Sequence, residues 1–272
     1  MIGIIGQGFV GNAVYQKFKN YFNVFTYDLD ISKSNSEEKT VLSQEIILIC
    51  LPTPMNKDGS CNIDLIQSTL KKIEKYNKCR IAVVKSTVPP GTTYVLNSNF
   101  NNIDIIFNPE FLTEANAVED FNNQSRIILG GPRSSTTELK RIYSKIFPKA
   151  HLIETDSTHA EMVKYLTNSF LSVKVIFSNE IFKICKKLQV DYDKVIEYTV
   201  LDDRLGKTHW KVPGPDGDFG FGGHCLPKDL SALIYLANNK NIKLDLLEMV
   251  KKINDNIRTN RDWEKMKGRA VV

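Results

Sequence analysis

"IGIIGQGFVGNAV", residues 2–14, decides the fold. A short apolar run leads into Gly6, Gly8 and Gly11 at G-x-G-x-x-G spacing, and helical periodicity follows. Each glycine answers a separate need in such a turn. Gly6 permits the tight bend, Gly8 lets backbone approach a pyrophosphate, and Gly11 lets a helix pack on its strand. The helix N-terminus beyond them attracts anions. The next strand ends at Asp28, about 20 residues on, where a carboxylate accepts hydrogen bonds from ribose hydroxyls and repels a 2′-phosphate. NAD is therefore expected over NADP, with Lys33 weakening that preference. The expected cofactor contacts of this half-turn are Gly6, Gln7, Gly8, Phe9, Val10, Gly11, Asp28 and Lys33.

Outward from this turn, "VFTYD" (24–28), "IILICL" (46–51), "RIAVVKS" (80–86), "IDIIF" (103–107) and "RIILGG" (126–131) read as further strands. Near-continuous apolar runs suit parallel strands covered on both faces. "NAVYQKFKNYF" and "IDLIQSTLKKIEKY" between them carry helical spacing, so the first half is expected to be a Rossmann-type, doubly wound α/β sheet. Loops after its strands face one crevice. Three of them are rich in proline, hydroxyl and carboxylate: "LPTP" (51–54), "KSTVPPGTT" (85–93) and "NPEFLTEA" (108–115). Pro52, Thr53, Pro54, Ser86, Thr87 and Glu114 are expected at the cofactor, and Glu110, Phe111, Leu112 and Glu114 at the substrate.

After "HLIETD" the texture changes. No proline or glycine occurs from Ser157 to Val190, and Val163, Leu166, Phe170, Val173, Phe177, Ile181 and Ile184 fall at helical spacing. Thr158 and Glu161 form a capping-box start. Helical patterns recur over 192–201, 228–240 and 244–257. The expected division is an NAD-binding Rossmann domain over 1–155, then a long central helix and an all-α substrate and dimerisation domain over 156–272.

Composition narrows the class. The chain of 272 residues is 42% apolar and 25% charged, which is ordinary for a globular protein. Its net charge of +5 does not require nucleic acid. No apolar stretch reaches the roughly 18 residues that span a bilayer, and Met1 leads directly into a strand, so neither a membrane span nor a secretory leader is expected. Five widely spaced cysteines without a C-x-x-C pair point to a reducing, cytoplasmic setting and no metal site.

The second chemical stretch is "GFGGHCLPKD" (220–229). Its glycines allow close backbone approach. Cys225 reads either as a small buried hydrophobe or as a nucleophile. Lys164 and Asn168, four apart, share one face of the long helix, and Lys164 reads either as a solvated lysine or as an oxyanion partner.

Taken in order, GQGFVG, Asp28, LPTP, KSTVPPG, NPEFLTE, KYLTN and GFGGHCLPKD resemble the UDP-glucose/GDP-mannose dehydrogenases, from residue 1 to about 268. The resemblance implies oxidation of a nucleotide-linked sugar alcohol to its carboxylate with two NAD reduced. It implies that Cys225 is the nucleophile, that Lys164 and Asn168 bind the reacting oxygen, and that Asp229 supports them. Glu110 would work with a water near Thr87. Arg204 would reach the substrate of a neighbouring subunit, and Gly220, Phe221, Gly222 and Gly223 would form the sugar loop. A thiolate explains the chemistry, because the intermediate aldehyde loses a second hydride only after a nucleophile adds. UDP-glucose is the expected substrate, with GDP-mannose or a UDP-N-acetylhexosamine as alternatives. A single-hydride hydroxyacid dehydrogenase and a catalytically silent nucleotide-sugar binder are readings from other classes. "PGPDGDFG" (213–220) lengthens the segment before Cys225 relative to typical members. The closing "MKGRAVV" resembles the first strand of the family's nucleotide-base domain, which is expected to be missing.

Overall fold

The apolar runs of the first half become one seven-stranded sheet in the computed structural model, which describes residues 1–272. Its strands are β1 (Ile2–Ile5), β2 (Val24–Tyr27), β3 (Ile46–Ile49), β4 (Ile81–Val84), β5 (Asp104–Phe107), β6 (Arg126–Gly130) and β7 (His151–Thr155), in the order β2-β1-β3-β4-β5-β6-β7. β1 to β5 pair in parallel. β1, β3 and β4 are buried at every position because helices cover both faces. Alternation divides their side chains between two cores. Ile2, Ile4, Leu48, Ile81 and Val83 serve one, while Ile5, Ile47, Ile49, Ala82 and Val84 serve the other.

Two features go beyond the expected sheet. β6 pairs with β5 in the antiparallel sense through Phe107 and Gly130, and β7 adds a strand parallel to β6. Every residue of β7 is half-buried or exposed. An edge strand of this kind has no continuous apolar run to announce it.

The helices of this first unit are α1 (Phe9–Phe18), α2 (Glu38–Leu42), α3 (Asp64–Tyr76), α4 (Thr92–Asn99), α5 (Ala117–Asn122) and α6 (Arg133–Ile146). The chain steps outward from β1 to β2 and returns to β3 on the other side of β1. That reversal makes the switch point at which such sheets bind ligands, outside the strands' carboxyl ends.

Two compact units result, Met1–Thr53 with Asn62–Lys164, and Pro54–Cys61 with Tyr165–Val272. The helix α7 (Ser157–Leu188) is one uninterrupted element of 32 residues, roughly 48 Å long at 1.5 Å per residue. The second unit continues with α8 (Tyr192–Thr199), α9 (Leu226–Asn238) and α10 (Asp245–Ile257). Its core joins Ile176, Phe221, Leu230 and Val250, with a second cluster of Cys185, Tyr192 and Val212. No helix is long and apolar enough to cross a membrane.

The start of α7 corrects the expected capping box. The side chain of Asp156, not Thr158, accepts the His159 N–H at 3.0 Å. Glu161 turns away into the first unit and accepts the N–H groups of Gly91 (2.6 Å) and Thr93 (2.8 Å). Those donors open α4, so a buried carboxylate caps a helix distant in sequence.

Candidate active site

The three glycines behave as their spacing requires. Gly6 has φ +88°, and a Cβ there would meet the Cys50 carbonyl oxygen at 2.4 Å. A Cβ on Gly11 would lie 1.9 Å from the Gly6 oxygen, so α1 packs onto its strand only because that position is glycine. At Gly8 nothing lies within 4 Å, which leaves an open cradle at the head of α1. No side chain caps this N-terminus, and no acidic residue sits in its first turn. Backbone N–H donors with the helix dipole behind them suit a pyrophosphate. Asp28 ends β2 and accepts the Gln7 N–H at 2.6 Å, which brings its carboxylate beside the turn. Lys33 is exposed and pairs with Asp30 at 3.1 Å. The set Gly6, Gly8, Gly11 and Asp28 thus fits NAD.

The later loops of this unit are tied together. Thr53 donates its hydroxyl to the Thr87 carbonyl at 2.7 Å, and Ser86 donates to the Ile49 carbonyl at 3.4 Å. Beyond β5, Glu110 and Lys164 form a buried pair. The Lys164 ammonium donates to the Glu110 carbonyl at 2.6 Å and to its Oε1 at 3.0 Å, and the two side chains are only 7% and 5% exposed. The Leu112 N–H donates to Glu110 Oε2 at 2.8 Å. Burial pushes the Glu110 carboxyl up, but Lys164 foremost, then the Leu112 N–H and Lys85, outweigh it and hold the group below its ordinary value. The Phe111 ring lies 5.5 Å from the Lys164 ammonium and 4.3 Å from the Arg126 guanidinium. Glu114 is exposed in the turn before α5.

Lys85 also belongs to this group, and the expected site omitted it. Its Nζ donates to Asn108 Oδ1 at 2.9 Å. Strand alternation was the available signal, since Lys85 continues the phase of Ile81 and Val83, which face the core.

The second unit assembles its own cluster. Cys225 is the N-cap residue of α9 and is half-buried. One turn on, Asp229 accepts from the Asn168 amide and from the Lys228 ammonium. Lys228, Asp229 and Asn168 are all buried. Burial works against the Lys228 ammonium, but Asp229, Cys61 and Cys225 outweigh it and push it up. Lys228 stands in the "LPKD" run, yet only its burial reveals a cation electrostatically coupled to two thiols. A helix N-terminus with a fixed cation nearby is the setting in which thiolates form.

The glycine loop before Cys225 is set by three side chains. Asn254 exchanges hydrogen bonds with Phe221, donating to its carbonyl (3.0 Å) and accepting its N–H (2.7 Å). Asn179 accepts the Gly220 N–H at 3.2 Å, and Asp262 accepts the Gly223 N–H at 3.0 Å. A Cβ on Gly222 would meet Arg258 Nη2 at 2.2 Å. The Phe221 ring lies in the core, so that residue offers only backbone to the loop's surface. Arg258 is itself buried against Asp216 and Asp262, which anchors the "PGPDGDFG" segment. Arg204 is exposed and bonded to Asp202.

Comparison with known proteins bears on both units. Residues 27–147 match the NAD binding domain of the UDP-glucose/GDP-mannose dehydrogenase family, and residues 158–256 match its central domain. The UDP-glucose 6-dehydrogenase YwqF of Bacillus subtilis (strain 168) is 34% identical over 239 residues, covering 85% of this chain and 53% of that protein. The UDP-glucose 6-dehydrogenase of Rickettsia bellii is 36% identical over 226 residues, covering 80% of this chain and 49% of that one. The chain spans about half the length of these curated relatives. Among solved structures, a UDP-glucose dehydrogenase from Pyrobaculum islandicum matches with TM-score 0.83 and 27% identity, over 94% of this chain and 68% of that one. A GDP-mannose dehydrogenase from Pseudomonas aeruginosa matches with TM-score 0.66 and 26% identity over the same shares.

Proposed function

The chain belongs to the UDP-glucose/GDP-mannose dehydrogenase family, and from that premise we propose that it oxidises UDP-glucose to UDP-glucuronate with NAD as acceptor. UDP-glucose is chosen over other nucleotide sugars because curated relatives above 30% identity carry that substrate in their names.

The observation that carries the reading is the buried Lys228–Asp229–Asn168 group behind Cys225 at the head of α9. NAD, when bound, accepts the hydrides that the sugar carbon gives up. The chain supplies the rest. Cys225 Sγ adds to the aldehyde carbon, and the carbonyl oxygen becomes the oxygen of a thiohemiacetal. Lys164 and Asn168 donate hydrogen bonds to that oxygen and stabilise its developing charge. Oxidation of the thiohemiacetal leaves a thioester on Cys225. Glu110, kept as a carboxylate, takes a proton from the water that attacks it, and the thiol is released as the acid departs. Asp229 orients Asn168 and holds the Lys228 charge in place. Thr87 stands in the loop that would hold the water.

A panel of nucleotide sugars with NAD tests this, with NADH counted per sugar consumed. Two NADH per UDP-glucose is expected; one NADH with an accumulating aldehyde overturns the cysteine chemistry.

The active species is proposed to be a homodimer formed along α7. Leu166, Phe170, Phe177, Ile184 and Leu188 make an exposed apolar stripe at helical spacing on that element. Arg204 would then complete the partner's site. Sedimentation showing an active monomer refutes it.

A further inference from the structure

Lys85 carries a buried charge that the proposed chemistry leaves unused. It follows β4, is 3% exposed, and lies 5.6 Å from the centre of the Phe121 ring. Its hydrogen-bond acceptor, Asn108, is held by three further bonds. The Tyr143 hydroxyl donates to Asn108 Oδ1 at 2.6 Å, Asn108 Nδ2 donates to the Ile128 carbonyl at 2.8 Å, and the Asn108 N–H donates to Val84 at 2.9 Å. Two residues further on, Lys164 grips both the carbonyl and the carboxylate of Glu110. The Asn108–Glu110 turn is therefore held at one end by one buried lysine and at the other by a second.

The titratable groups acting on Lys85 are Cys50 after β3, Glu110 after β5 and Lys164 on α7; Tyr143 on α6 meets it through Asn108. Burial pushes the Cys50 thiol up to about 12 and raises the Tyr143 phenol, so both stay neutral near neutral pH. What remains is two ammonium groups and one carboxylate. Lys164 alone neutralises Glu110, so Lys85 is a surplus buried cation, and such charges are expensive to hold.

We propose that Lys85 is a positioning residue for Glu110: its ammonium, fixed on Asn108, pins the Asn108–Glu110 turn and adds a second positive charge to the field at the Glu110 carboxylate. Its importance for turnover rests on the reading of Glu110 as the base. Burial, helped by the neighbouring Lys164 charge, brings Lys85 down to about 8 against the opposing charge of Glu110. The second charge is thus present below about pH 8 and is withdrawn above it.

The test follows ionisation directly. The full chain is labelled with ¹⁵N at lysine Nζ and ¹³C at the glutamate carboxyl, and both are titrated by NMR. Lys85→Arg and Glu110→Gln assign the two signals. One lysine titrating near pH 8 is expected in the unmutated protein and absent from Lys85→Arg. The Glu110 signal should move again as that lysine deprotonates. In Lys85→Met the Glu110 inflection should rise, and in Lys85→Arg it should stay in place. Lysines that all titrate in the ordinary range, a measurement requiring no variant to fold, overturn the proposal. So does an unmoved Glu110 inflection in folded Lys85→Met. A Glu110→Gln protein with full yield of acid would refute the role of Glu110 as base and leave these titrations unaffected.

Discussion

Glu161→Gln isolates one buried charge. Glu161 is fully buried, and burial raises its carboxyl from 4.5 to about 7 against the opposing N–H groups of Thr93 and Gly91. A carboxyl raised on folding stabilises the native state while it is protonated. That contribution is complete below the unfolded value and is lost as pH rises toward the folded one. Between about pH 5 and about pH 8 the loss amounts to about 2.5 kcal/mol, at roughly 1.4 kcal/mol for each pH unit between the unfolded and folded values. Glutamine cannot titrate. Subtracting the variant's pH–stability curve from the native one cancels every other group and leaves this contribution. For a chain of this size the gap in melting temperature between the two proteins should change by roughly 5–10 °C across that range, moving in favour of the glutamine as pH rises. Differential scanning calorimetry at both pH values reads it. Parallel curves would show that Glu161 ionises normally and that the two N–H donors, not burial, decide its charge.

Other outcomes follow from the geometry. Gly11→Ala places a methyl 1.9 Å from the Gly6 oxygen, so α1 must leave β1; calorimetric titration should find NAD binding at least about tenfold weaker, the factor that about 1.4 kcal/mol produces. Cys225→Ser should form product far more slowly and leave sugar covalently attached, visible as added intact mass, because an alkoxide leaves less readily than a thiolate. Lys228→Met strands the Asp229 charge in the interior and should cost about 3–5 kcal/mol in urea denaturation. Restoring the cation with Lys228→Arg should recover part of that loss.

The parts of the fold legible in the sequence are those where backbone geometry dictates residue type. Gly6 and Gly11 admit no side chain, and the runs of β1, β3 and β4 are apolar because both faces are covered. The strand β7 was hidden because an edge needs no such run. Thr158 and Glu161 at capping-box spacing misdirected the reading, since a glutamate three residues after a threonine near a helix start fits a local cap as well as a partner 70 positions away. Of the residues proposed to act on the substrate, Glu110, Lys164, Asn168, Cys225 and Asp229 stood in motifs. Lys85 in KSTVPPG and Lys228 in GFGGHCLPKD were not singled out, because a lysine ordinarily reaches water and only packing shows that these two do not.

The short excursion Pro54–Cys61 leaves the first unit between β3 and α3 and joins the second. There Met55 bridges to Val271, its N–H donating to Ala270 at 2.8 Å and its carbonyl accepting from Val272 at 3.1 Å. During synthesis these residues emerge from the ribosome early and wait for more than two hundred others before their partners exist. Such a pairing adds high contact order to an otherwise local helical unit, and closing so large a loop slows folding. A gene fragment beginning within α7 would yield the second unit's helices without the segment that pairs with Ala270 and Val272, so that unit is best recovered by co-expressing both halves.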